Sequence, residues 1–399
     1  MAGTKWDTVY DARLFRCLWC TPWCWPTDLW GTIWNRIDRA RRGFSFWFNP
    51  LVEISTPGRI CLFGEHQDYL GLPVVAMAIS LRAQITGQKR KDQQVIIHKP
   101  DIGETESFLL NDLVYTKPRD YFKSGIKICS GEELVFSNGF ESEITSEIPI
   151  QAGVGSSSAV MVSWIYFLSR MADTPVAWNA QKIGELAYKA EVLEFAEPGG
   201  MMDQYSATMG HLLYLESEPE ISIKSLNQNL GIFVLGDSCE PKDTMSILQR
   251  CRDTRLEIIK KLKVKNPDFN IHTCTDVDMS PLNDEEKGIF QGTIKNRNIL
   301  RQALPELEKV RPDPTCIGTS LTQHHAVLRD ILQVSTPKIE AMLDASLDAG
   351  ALGGKINGSG GGGCMFAYAP KNAEIVAEAI EKVGGKSFII SSDSGTRIV

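Results

Sequence analysis

The chain has 399 residues, 43% of them apolar and 23% charged, with a formal net charge of −7. That balance suits an ordinary globular protein of two domains and leaves no basic surface for nucleic acid. No apolar run approaches the ~18 residues that span a bilayer, so no membrane partner is expected, and ten scattered cysteines read as reduced, cytoplasmic usage rather than a disulfide framework.

Residues 1–50 form a Trp-rich N-terminal extension that holds seven of the nine tryptophans. Cys17, Cys20 and Cys24 lie among them. Cys17-x-x-Cys20 has zinc-ligand spacing, but no second pair or nearby histidine completes a tetrahedral set. The segment is given no function.

Val52 to Thr56 and Arg59 to Phe63 read as short strands broken by Pro57-Gly58. They feed Gly64-Glu65-His66-Gln67-Asp68-Tyr69, where functional side chains crowd behind a strand. Carboxylates and an imidazole suit the hydroxyls of a polyol. A metal site and a solvated turn are the rival readings. Val74 to Thr86, Val95 to Lys99 and Glu143 to Ile148 alternate as strands do.

Gly153-Val154-Gly155-Ser156-Ser157-Ser158 comes next, ahead of an apolar helix from Ala159 to Met171. Glycines allow a tight curl, serines cap, and a helix start aims free N–H groups and a positive dipole end into the loop, which suits phosphate. No lysine completes the Gly-Lys-Ser/Thr nucleotide loop. Asp173-Thr174-Pro175 opens a second helix with Ile183, Leu186, Ala187, Ala190 and Leu193 on its apolar face. Glu191 and Glu194 lie three apart on a common side. Pro198-Gly199-Gly200 ends it, and Asp203 follows in the first turn of another helix. That aspartate is either a dipole partner or a base beside a substrate hydroxyl.

Leu212 to Leu215 and Ile232 to Leu235 read as strands, with a change of domain between Glu216 and Leu230. Met245 to Leu262, Leu282 to Leu307, His325 to Gln333 and Thr336 to Ala349 read as helices. Gly358 to Gly363 then precedes the strand Cys364 to Tyr368, a backbone loop suited to packing against a ligand. A helix near Asn372 to Val383 and a strand near Ser387 to Ile390 close the chain.

Three glycine-bearing motifs in this order, with an internal aspartate, resemble the GHMP family of small-molecule kinases, and within it the galactokinases. The carriers are Gly58-Arg59-Ile60-Cys61-Leu62-Phe63-Gly64-Glu65-His66-Gln67-Asp68-Tyr69, the Gly153 to Ser158 loop, Gly200-Met201-Met202-Asp203-Gln204, the stretch His325 to Pro337, and Gly358 to Cys364. The resemblance covers residues 52–399. It implies an α/β fold of two domains, 51–218 and 219–399, with the active site in the cleft between them. It implies an ATP- and Mg²⁺-dependent kinase that phosphorylates a sugar, at the anomeric hydroxyl. By resemblance, Asp203 is the base and Arg59 keeps it ionised and steadies the moving phosphoryl. Glu65, His66, Asp68 and Gly200 belong to the sugar site, Gly153, Val154, Gly155, Ser156, Ser157 and Ser158 cradle the ATP phosphates, and Ser157 and Glu191 approach Mg²⁺.

The chain departs from the galactokinase pattern at Cys61, where that signature has Asn, and at Leu70. The segment Gly236 to Thr244 lacks the tyrosine expected at the sugar. Lys242 within it is either a contact for an acidic substrate group or a solvated lysine. Arabinose, glucuronate or a heptose therefore stays open as the substrate beside galactose, as does a non-catalytic sugar- and nucleotide-sensing regulator. Oligomeric state is not legible.

Overall fold

In the computed structural model the described residues are 51–226, 228–241 and 244–399. Cys17, Cys20, Cys24, the other residues of the Trp-rich segment and Lys242 lie outside them. The strands run β1 (Val52–Phe63), β2 (Val74–Lys89), β3 (Gln94–Lys99), β4 (Glu104–Leu109), β5 (Phe140–Ser146), β6 (Leu212–Glu216), β7 (Ser222–Leu226), β8 (Ile232–Asp237), β9 (Gly353–Ile356), β10 (Cys364–Tyr368), β11 (Lys386–Ser391) and β12 (Arg397–Ile398). The α-helices are α1 (Tyr121–Gly131), α2 (Ser156–Met171), α3 (Ala180–Tyr188), α4 (Met202–Met209), α5 (Thr244–Lys265), α6 (Asp284–Leu307), α7 (Pro314–Asp330), α8 (Pro337–Asp348) and α9 (Ala373–Lys382).

Two sheets organise residues 51–399. The larger has eight strands ordered β12-β1-β2-β5-β3-β4, with β6 added to β2 and β7 to β6. The smaller is antiparallel, β11-β8-β10-β9. Helix α2 lies over the large sheet on its apolar face. Its Trp164 is fully buried among Phe122, Phe140 and Phe167, and the indole N–H donates to the carbonyl of Phe122 at 3.0 Å. Burial of such rings against one another seats the helix against its neighbours.

Pro57-Gly58 does not break the first strand. It shifts the β1–β2 register instead, so β1 runs on to Phe63 and delivers the Gly64 to Tyr69 loop to the cleft. Helix α3 starts at Ala180 rather than near Asp173, because the Asn179 side chain accepts from the N–H of Lys182 at 2.8 Å. The C-terminus crosses back to the large sheet, where β12 pairs with β1. Buried Arg82 pins that return by donating to Asp393, Ser394 and Gly395.

Candidate active site

A cleft of about 530 Å³ takes its walls from both sheets' loops. Its centre is an ion pair. Arg59 donates from Nε to Oδ1 of Asp203 at 2.8 Å and from Nη2 to Oδ2 at 2.7 Å. This bidentate fork is the strongest geometry available to a guanidinium and a carboxylate. The arginine side chain is 6% exposed and the aspartate 26%, so the open side of the pair is the carboxylate. Burial opposes the charge on Arg59, yet the charges of Asp203 and Glu65 outweigh it and hold the guanidinium above its ordinary value. Nη1 of Arg59 donates to the carbonyl of Gly153, which ties the pair to the Gly/Ser loop.

Gly155 stands just before α2, and Ser156, Ser157 and Ser158 form its first turn. The turn's free N–H groups face the cleft with the helix's positive end. The third glycine loop lies directly against this one. A Cβ on Gly358 would sit 2.6 Å from the carbonyl oxygen of Gly153, so only glycine permits the approach. Asn357 spans the same seam, accepting from the N–H of Cys61 and donating to the Gly153 carbonyl, each at 2.8 Å.

Glu191 lies on a π-helical turn, Lys189–Leu193, that continues α3. Such turns carry one extra residue and re-aim a side chain. The side chain is buried, and Ser157 Oγ donates to its Oε1 and Gln204 Nε2 to its Oε2, both at 2.7 Å. Burial pushes its carboxyl up to about 6. One carboxylate and one hydroxyl beside a helix start fit the oxygen-rich, partly hydrated shell that Mg²⁺ takes. Among the described residues no cluster of three or more His, Cys, Asp or Glu side chains suits a metal, which is compatible with a cation held partly by phosphates.

Asp68, on the loop after β1, lines the cleft. Burial, then the nearby charge of Asp203, raises its carboxyl to about 6. Gly200 passes so close that a Cβ there would lie 1.9 Å from Asp68 Oδ2. Gly200→Ala should therefore displace the Asp68 carboxylate and raise the acceptor KM by about tenfold or more, the cost of a lost charged hydrogen bond, with the ATP KM unchanged; paired initial-rate titrations check this.

Glu65 is turned away from solvent and receives Lys355 Nζ at 2.7 Å. That lysine, fully buried in β9, also donates to the carbonyl of Cys61 at 2.9 Å. His66 has a left-handed backbone, φ 61°. Its Nε2 lies 3.1 Å from the carbonyl oxygen of Ser359 and its Nδ1 2.9 Å from Tyr69 Oη. Both ring nitrogens are thus engaged inside the protein. All the sequence-derived site residues border or support this one cleft. Lys355, Asn357 and Gln204 carried no role in the sequence reading. A lysine in an otherwise apolar strand, and a glutamine beside the motif aspartate, were the available signals.

Asp68 and Glu191 both titrate higher in the fold than their ordinary 3.8 and 4.5. The folded state therefore binds more protons than the unfolded chain between those values and about 6. Their stabilising contribution is complete below the ordinary values and is lost as pH rises through about 6. Activity should run the opposite way if Asp68 meets its ligand as a carboxylate. We then expect kcat/KM to fall on an acid limb near pH 6 set by Asp68, with this part of the thermal stability increasing as pH falls from about 6; parallel rate and melting profiles check both signs.

Comparison with known proteins gives three family matches: GHMP kinases N terminal domain over residues 120–211, GHMP kinases C terminal over 302–386, and the galactokinase galactose-binding signature over 48–89. A mevalonate kinase of Thermococcus onnurineus is 30% identical across 87% of this chain and 98% of its own. A galactokinase of Haemophilus influenzae is 24% identical across 88% and 95%. Among solved structures, Lactococcus lactis galactokinase complexed with galactose superposes with a TM-score of 0.78 at 21% identity, over 92% of this chain and 100% of that one. A Methanococcus jannaschii mevalonate kinase superposes at 0.66 and 19% identity, covering 88% and 100%.

Proposed function

Since the chain belongs to the GHMP kinase family and has its two-domain α/β fold, we propose that this phosphotransferase moves the γ-phosphoryl of ATP to a hydroxyl, the anomeric one, of a neutral sugar. The observation that carries the reading is the bidentate Arg59–Asp203 pair set between a helix start and an acceptor loop. Phosphoryl transfer asks for positioning and charge neutralisation more than for covalent chemistry.

In this reading the first turn of α2 takes the ATP phosphates, and Tyr121, Phe122, Ile144 and Val160 along the same cleft take the base. Ser157 and Glu191 would hold Mg²⁺, which when bound neutralises phosphate charge. Asp203 accepts the proton of the acceptor hydroxyl on its carboxylate, and Arg59 keeps that carboxylate oriented while placing positive charge beside the travelling phosphoryl. We place the lobe boundary near residue 218, with β7 and β12 returning to the first lobe's sheet.

Sugar is favoured over mevalonate by charge. Mevalonate is a carboxylate, and the acceptor end presents Asp68 beside Asp203 and Glu65. The cations there, Arg59 and Lys355, already face carboxylates. A like charge would be repelled, whereas polyol hydroxyls donate readily to acids. The galactokinase galactose-binding match over residues 48–89 supports the same choice. An ADP-release assay over free sugars and mevalonate tests it. Turnover with mevalonate alone would overturn the sugar reading, and sugar binding without ADP release would leave a sensor.

A further inference from the structure

We propose that Arg255 and Tyr69 are positioning residues that act through His66, locking it as the Nε2–H tautomer against the Ser359 carbonyl, so that His66 joins the acceptor loop to the third glycine loop instead of contacting the acceptor. The proposal rests on the sugar-kinase reading only for its kinetic consequence and for the response to added sugar.

Four groups form one hydrogen-bonded line. Arg255, on α5, is 2% exposed and donates from Nη2 to Tyr69 Oη. Its Nε donates to the carbonyl of Cys251 at 2.8 Å, and its guanidinium lies 5.2 Å from the centre of the Tyr69 ring. Tyr69 Oη lies 2.9 Å from His66 Nδ1, and His66 Nε2 lies 3.1 Å from the Ser359 oxygen.

The two ends fix the direction of every proton between them. A carbonyl oxygen only accepts, so Nε2 carries the hydrogen. A guanidinium only donates, so Tyr69 Oη accepts from Arg255. A neutral imidazole then has a lone pair at Nδ1, and the tyrosine O–H fills it. A doubly protonated ring would break this order, and its surroundings oppose it. Burial first, and then the positive charges of Arg255, Lys355 and Arg250, drive the ring's pKa down to about 3.

The consequence is mechanical. Arg255 belongs to α5, whose Thr244 and Leu248 line the cleft, while His66 follows β1 and Ser359 precedes β10. The line therefore sets three separate segments in register around the acceptor. It leaves the Asp68 and Asp203 carboxylates as the acceptors that face the cleft, while His66, which borders the same cleft, has both ring nitrogens already engaged. A buried arginine costs desolvation, and its Nη1 finds no hydrogen-bond partner among the described residues, which points to orientation rather than stability as its contribution.

Two measurements on the full-length protein test this. Long-range nitrogen–proton NMR of imidazole-labelled wild type should show His66 neutral with the hydrogen on Nε2, unchanged when the acceptor sugar is added. A hydrogen on Nδ1, a charged ring, or a shift to a new hydrogen bond on sugar addition would overturn the proposal. The tautomer of the free protein needs neither acceptor nor turnover, so that arm stands or falls apart from the choice of substrate, whereas the sugar-addition arm rests on the sugar-kinase reading. Kinetically, Tyr69→Phe should raise the acceptor KM by about tenfold with kcat and the ATP KM nearly unchanged, and Arg255→Lys should keep more of the wild-type KM than Arg255→Met. Equal loss in Lys and Met variants, or no KM change in Tyr69→Phe, would count against it.

Discussion

Asp203→Asn is expected to lower turnover by about 10²–10⁴-fold, the range that general-base help supplies, while ATP affinity stays nearly intact. The carboxylate sits in the first turn of α4 with both oxygens on Arg59. An amide keeps the volume and one acceptor oxygen. It loses the charge, and it turns an NH₂ group toward a guanidinium nitrogen that can only donate. The helix still forms, since Met202 and Tyr205 remain buried beside it, so the loss should appear in kcat. Single-turnover kinetics with the sugar found in the ADP-release panel, beside a nucleotide titration, separates chemistry from binding. Near-normal turnover would remove Asp203 from the mechanism and with it the reason for Arg59's placement.

Lys355→Met should cost about 3–5 kcal/mol of folding stability, the penalty for leaving one partner of a buried ion pair alone. The lysine side chain is 0% exposed and that of Glu65 3%, at 2.7 Å. Methionine fills most of the space but cannot donate to Glu65 or to the Cys61 carbonyl. Glu65 would then be an uncompensated charge in the wall of the cleft. Adding Glu65→Gln should recover part of the stability, because no unpaired charge remains. Denaturant midpoints for the two single variants and the double variant give the coupling directly. A cost below about 1 kcal/mol for Lys355→Met would mean that the pair does not hold Glu65 in place.

Arg82 offers a contrast. It is buried much as Arg59 is, yet its partners are a serine, an aspartate and backbone carbonyls of the returning C-terminus. Burial of an arginine alone does not mark a reacting centre. The helix start and the acceptor loop beside Arg59 make that difference.

Much of the architecture was legible because local rules and burial agreed. The alternation of β2, the apolar face of α2 and the Gly/Ser loop ahead of it are properties of neighbouring residues, and the structure keeps them. Elements with weak local signals escaped. The edge strand β4, Glu104–Leu109, is mostly exposed, so no apolar alternation announces it. Helix α1 carries Ser124 and Gly125 among its buried residues, a face too polar to read as core. The first half of α7 preceded the His325 signal for the same reason, with threonines and glycine where apolar spacing would be sought.

The sequence by itself determined which chemistry the chain holds: an arginine in a strand, an aspartate opening a helix, serines at a helix start, and glycines wherever two backbones must touch. Only the tertiary structure decided which of these groups meet. Arg59 and Asp203 stand 144 residues apart, Glu65 and Lys355 290, and His66 and Ser359 293. A side chain's composition and its near neighbours fix what it can donate or accept, whereas its partner across such a distance is chosen by the packing of whole sheets and helices. That is why His66 reads as a sugar contact in the chain and finds both ring nitrogens engaged in the fold.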